Sequence, residues 1–136
     1  QAHSGQTDKI GRPYITHPRR VAFAVRKLAP ENMRVEAQIV ALLHDTVEDT
    51  GVTLDYLARY FSVSIVDAVD ALTKRKGETL EQSIARVRAN ELARLVKHAD
   101  IADNTDPERT ALLDEETRER LAKKYAKSLT LLSLGE

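Results

Sequence analysis

Cysteine is absent from this chain, which removes disulfides, thiolate zinc sites and a cysteine nucleophile together. Any metal ligand must then be His, Asp or Glu. Glycine and proline are scarce, at 5 and 4 of 136 residues, and 42% of the chain is apolar against 31% charged, a balance that predicts a helix-rich fold with one core. Net charge is lacking too. Lys+Arg and Asp+Glu stand at 21 each, so no whole-molecule field favours a nucleic acid or an anionic membrane, and any recognition of phosphate must be local. No run of about 18 apolar residues and no signal-peptide pattern is found, so a cytoplasmic location and no membrane partner are expected.

Periodicity is helical nearly throughout, and no segment alternates apolar and polar residues long enough to suggest a strand. The expected architecture is all-α, one domain over residues 1–136. The spacing predicts helices over about Pro18–Leu28, Val35–Val47 with a cap near Asn32, Thr53–Phe61, a stretch opening at Ser62 or Ser64 and ending near Leu72, Leu80–Val87, an Asn90-capped run to about Ala102, and Glu115–Leu134. On the last of these, Leu121, Tyr125, Leu129 and Leu132 are expected to face inward. Asn104 to Arg109 reads as a polar loop. Gln1-Ala2-His3 reads as the tail of an element that begins earlier.

The densest chemistry lies in His44-Asp45-Thr46-Val47-Glu48-Asp49, which follows the aliphatic run Ala37 to Leu43. Two carboxylates about 4 Å apart repel by roughly 4 kcal/mol at an effective dielectric near 20, and burial adds desolvation. A bound cation offsets both. Residues four apart share a helix face, which stacks His44 with Glu48 and Asp45 with Asp49. The second long apolar helix repeats the pattern with Asp100 and Asn104, and carries Lys97 one turn before. His17, beside Tyr14 and followed by Pro18, adds an imidazole held at a helix start.

His17, His44, Asp45 and Asp100 form a mixed nitrogen and oxygen set suited to manganese, iron or zinc and poor for calcium. Such a site points to phosphoester hydrolysis, in which the ion lowers the pKa of water and neutralises charge at phosphorus. Glu48 and Asp49 are then the candidate catalytic acids, with the division of labour between base and acid left open.

The stretches His3-Ser-Gly-Gln, Gly11-Arg-Pro-Tyr-Ile-Thr-His17-Pro, His44-Asp-Thr-Val-Glu-Asp-Thr50, Leu72-Thr-Lys74 and Val96-Lys-His-Ala-Asp100-Ile-Ala-Asp-Asn104 resemble the HD-domain metal-dependent phosphohydrolases. Among these the chain is similar to the alarmone hydrolase domain of RelA/SpoT proteins and their stand-alone relatives. The resemblance implies an HD-domain helical bundle and one divalent ion, usually manganese, on His17, His44, Asp45 and Asp100. It also implies Glu48 and Asp49 as catalytic acids and Asn104 as a nucleotide contact. The implied reaction removes pyrophosphate from the 3′ position of ppGpp or pppGpp, leaving GDP or GTP. In the loop before His17 the family tends to carry an arginine that packs on the base and meets phosphates. This chain has Asp8 there with Lys9 beside it, so Lys9 is the candidate substrate contact. A different phosphorylated nucleotide, or a metal-stabilised module that binds nucleotide without cleaving it, are the competing expectations.

Overall fold

Helix α1 (Thr16–Leu28) begins where Pro18 occupies the first turn, a position whose missing N–H costs little. Its inner stripe is His17, Val21 and Val25, spaced by four and buried, while Arg26 and Lys27 in the last turn complement the helix dipole. Pro30 then interrupts the chain. The structure, a computed structural model, describes residues 16–44, 47 and 51–134. Among them every regular element is helical.

After Pro30 a 3₁₀ turn (Glu31–Met33) leads into α2 (Arg34–Leu43). The expected Asn32 cap is not made. Asn32 lies inside the 3₁₀ turn and Met33 takes the capping position, without a side-chain hydrogen bond. Helix α2 ends four residues before Val47, with His44 as its C-terminal cap. It buries Ala37, Val40, Ala41 and His44 on one stripe and leaves Leu42 exposed, so only one face of the aliphatic run is interior.

Local chemistry accounts for most of the later boundaries. Thr53 caps α3 (Leu54–Ala58), accepting from the Tyr56 N–H at 3.1 Å. Ser62 precedes α4 (Val63–Leu72), and Gly77, with φ of +79°, supplies the left-handed backbone that turns the chain toward the next helix. Helix α5 (Leu80–Arg88) starts in a reciprocal box between Thr79 and Gln82. Asn90 caps α6 (Glu91–Asn104), accepting from the Ala93 N–H at 3.0 Å. The expected polar loop after it contains a one-turn helix, α7 (Pro107–Thr110), opened by Asp106. Asp114 caps α8 (Glu115–Leu132).

The core lies where α1 packs on α2 and α6, α2 on α4 and α6, and α5 on α4, α6 and α8. Val21, Val40, Val69, Val87 and Val96 are completely buried there, each worth about 1.5–3 kcal/mol of transfer free energy. On α8 the inner stripe is Leu121, Tyr125, Ser128 and Leu132, whereas Leu129 is 38% exposed, contrary to expectation. Steps of four, three and four keep that stripe on one side, and Leu129 falls about 100° away from Ser128.

Arg86 fastens the turn between α4 and α5. Its guanidinium donates to the carbonyls of Ala71 and Thr73, at 3.2 and 2.7 Å, and pairs with Glu78. Two carbonyls at the end of α4 are thereby satisfied by a side chain one helix away.

Candidate metal centre

Three buried stripes end at one place. His17 heads the inner stripe of α1, His44 continues the Ala37, Val40 and Ala41 stripe of α2, and Asp100 follows Ala93 and Val96 on α6. Because these three helices pack on one another, the polar residues meet inside the core although 56 and 83 positions separate the two histidines from Asp100.

Both imidazoles aim Nε2 at the same oxygen. Asp100 Oδ1 lies 2.8 Å from Nε2 of His17 and 3.3 Å from Nε2 of His44. The rings meet edge-on with centroids 5.7 Å apart. One nitrogen from each histidine and one carboxylate oxygen lie within 4.8 Å of one another, all from buried residues, a group that can hold a divalent metal ion. The opposite side of the His44 ring is anchored, its Nδ1 donating to the carbonyl of Ala41 at 2.5 Å. A backbone anchor of that kind turns Nε2, rather than Nδ1, toward the other two residues of the group.

The electrostatics match the cradle of a cation. Burial is the largest influence on Asp100 and opposes its charge, but hydrogen bonds from His17 and His44, with Lys97 nearby, hold its pKa well below the usual carboxylate value. Lys97 Nζ stands 3.5 Å from Asp100 Oδ2, and the amide of Asn104 reaches Oδ1 at 3.3 Å. Burial likewise lowers the pKa of His17, yet its bonds to Asp100 and Asp103 overcome that and raise it above the ordinary imidazole value. The His17 ring therefore lies between two carboxylates, Asp100 on its Nε2 side and Asp103 on its Nδ1 side.

Of the residues singled out from the sequence, His17, His44 and Asp100 are brought together, with Asn104 against Asp100. Asp45, Glu48, Asp49 and Lys9 lie outside the described residues. Sequence reasoning missed Asp103 and Arg20. Asp103 takes the Nδ1 side of His17 at 2.5 Å, and Arg20 pairs with it through Nε at 2.7 Å and Nη2 at 3.1 Å. The signal was present as matched three-residue steps, His17 to Arg20 and Asp100 to Asp103, on helices whose contact only the fold reveals.

Comparison with known proteins places the chain in a family. The HD domain profile matches residues 1–97, most of the chain. The chain belongs to the HD domain family. It is 35% identical over 137 residues to a probable GTP pyrophosphokinase of Mycobacterium leprae, covering 90% of this chain and 17% of that protein. It is 33% identical over 131 residues to a guanosine-3′,5′-bis(diphosphate) 3′-pyrophosphohydrolase of Aquifex aeolicus, covering 90% and 18%. The protein of the same name from Haemophilus influenzae is 42% identical over 73 residues, 54% of this chain and 10% of that protein. The HD domain thus spans less than a fifth of these relatives. Its fold is shared with a solved structure described as a metazoan ortholog of SpoT that hydrolyzes ppGpp, with a TM-score of 0.78, 23% identity, and coverage of 98% of this chain and 80% of that one. No helix among the described residues is long and apolar enough to cross a membrane.

Proposed function

We propose that this HD domain is a metal-dependent phosphohydrolase that removes the 3′-pyrophosphate of ppGpp or pppGpp, releasing pyrophosphate and GDP or GTP. The observation that carries the reading is the convergence of two imidazole nitrogens on one buried carboxylate oxygen. A buried acid with two histidines aimed at it is costly as a packing device and economical as a cation site. Relatives named for this hydrolysis supply the substrate class.

In this reading His17, His44 and Asp100 hold the ion together with Asp45, and manganese is the proposed metal. The chemistry such an ion supplies is charge neutralisation at phosphorus and activation of water. Glu48 and Asp49 provide the proton traffic. One accepts a proton from the attacking water as its oxygen bonds to phosphorus, and the other protonates or orients the 3′ oxygen as the phosphorus–oxygen bond breaks. Lys97, whose side chain is 20% exposed, brings a positive charge beside the carboxylate, where a polyphosphate would otherwise meet uncompensated acid. Asn104 and Lys9 are the proposed nucleotide contacts.

The test is a pyrophosphate-release assay on the purified chain supplied with manganese, iron or zinc, against ppGpp, pppGpp, nucleoside monophosphates and phosphorylated dinucleotides. The expected result is ion-dependent release from ppGpp that Glu48→Ala abolishes. Release unaffected by that change would reject the assigned site, and turnover confined to other nucleotides would reject the alarmone.

A further inference from the structure

The carboxylate that faces the rear of His17 has no role in the reaction outlined above, yet its side chain is largely buried and accepts three hydrogen bonds. Asp103 Oδ2 accepts from His17 Nδ1 at 2.5 Å and from Arg20 Nη2 at 3.1 Å, while Oδ1 accepts from Arg20 Nε at 2.7 Å. Arg109 Nε stands 3.9 Å from Oδ2. The Asp103 side chain is only 8% exposed. Arg20 thus holds both oxygens in a fork, a geometry that fixes a carboxylate in direction as well as in position.

We propose that Asp103 is a positioning residue: braced by Arg20, it keeps the proton of His17 on Nδ1 and turns Nε2 toward the ion site. This inference rests on the metal reading of the site. An imidazole offers a metal one lone pair, and it does so at the nitrogen opposite its own N–H. An acceptor at Nδ1 therefore decides which nitrogen is available, and a charged acceptor also raises the basicity of that nitrogen. His44 obtains the same orientation from the Ala41 carbonyl, which is neutral. The two histidines are consequently unequal ligands. His17 has the anionic support, supplied by the element that also carries Asp100, so one helix fixes both the front and the back of the ring.

A purely structural alternative is that Asp103 only ties α6 to α1 through Arg20. The two roles separate in metal affinity. Zinc and manganese binding to the whole chain is measured by titration calorimetry for the unsubstituted protein, Asp103→Asn and Asp103→Ala, with the thermal midpoint of each metal-free protein recorded alongside. Loss of such a supporting partner weakens metal affinity by about 10–100-fold, and that loss is the expected result for both variants. Variants that melt earlier yet bind as tightly as the parent would leave Asp103 a structural tie and overturn the proposal. A second measurement needs no substitution. In the zinc-loaded parent, nitrogen-15 NMR should show the His17 proton on Nδ1 and slow to exchange, and a proton absent from Nδ1 overturns the proposal even where the variants do not fold. If the parent binds neither ion, the metal reading fails along with this one; if it binds and the variants match it, this one fails alone.

Discussion

Replacing Asp100 by Asn tests whether the buried constellation exists for a cation or for packing. The substitution keeps the volume and one acceptor oxygen but removes the charge that His17, His44 and Lys97 surround. In the metal-free protein, one charge-assisted network is weakened, and hydrogen bonds to charged groups are worth about 1.5–3 kcal/mol. A loss in that range is expected from packing alone, so stability without metal discriminates nothing. The ion does. An ion that binds only the folded chain adds about 2.7 kcal/mol when present at 100 times its dissociation constant. For a domain of this size, each kcal/mol moves the midpoint by roughly 3–5 °C, so the parent should gain about 8–13 °C. Asp100→Asn should gain almost none at the same ion concentration. Differential scanning fluorimetry with manganese, iron or zinc, and with chelator as the reference, reads both arms. An equal ion-dependent rise in parent and variant, or no rise in the parent with any of the three, would refute the cradle.

Other consequences concern the scaffold around the site. Ile84 is 1% exposed where α5 meets its neighbours, so Ile84→Ala should cost about 2–5 kcal/mol in urea unfolding, at an unchanged slope. Thr79→Ala removes one half of the capping box of α5 and should cost about 1 kcal/mol, read in the same titration. The hydrogen bond from Arg86 is the main reason that the pKa of Glu78 lies below its usual value of 4.5. Because the folded value is the lower one, the stabilisation is complete above the unfolded pKa and is lost as pH falls below 4.5 toward the folded value. Thermal midpoints followed from pH 6 to pH 3 should therefore drop less steeply in Glu78→Gln than in the parent, and parallel curves would remove Arg86 as the cause.

The legible parts of the molecule were those carried by neighbours in the chain. Thr53 and Asn90 are short polar side chains ahead of apolar runs, and a cap needs only the backbone N–H a few residues on. The Asn32 and Leu129 expectations failed for a related reason. Pro30 redirected the chain into a 3₁₀ turn, and a four-residue step on α8 was extended past the position where the inner face had already moved on by one. Neither error touched the site, because His17, His44 and Asp100 each close an apolar stripe that is readable by itself.

By itself, then, the amino-acid order determined that the chain is helical, where most helices begin, and that His17, His44 and Asp100 lie at the ends of buried faces; all of this follows from the 3.6-residue repeat and the reach of a side chain along its own backbone. Tertiary structure alone decided that the two Nε2 atoms share one oxygen of Asp100, that Arg86 closes the end of a helix it does not belong to, and that Asp103 and Arg20 stand behind His17. These are directions and distances between residues tens of positions apart. Such quantities depend on how helices lean on one another, and no local pattern contains them.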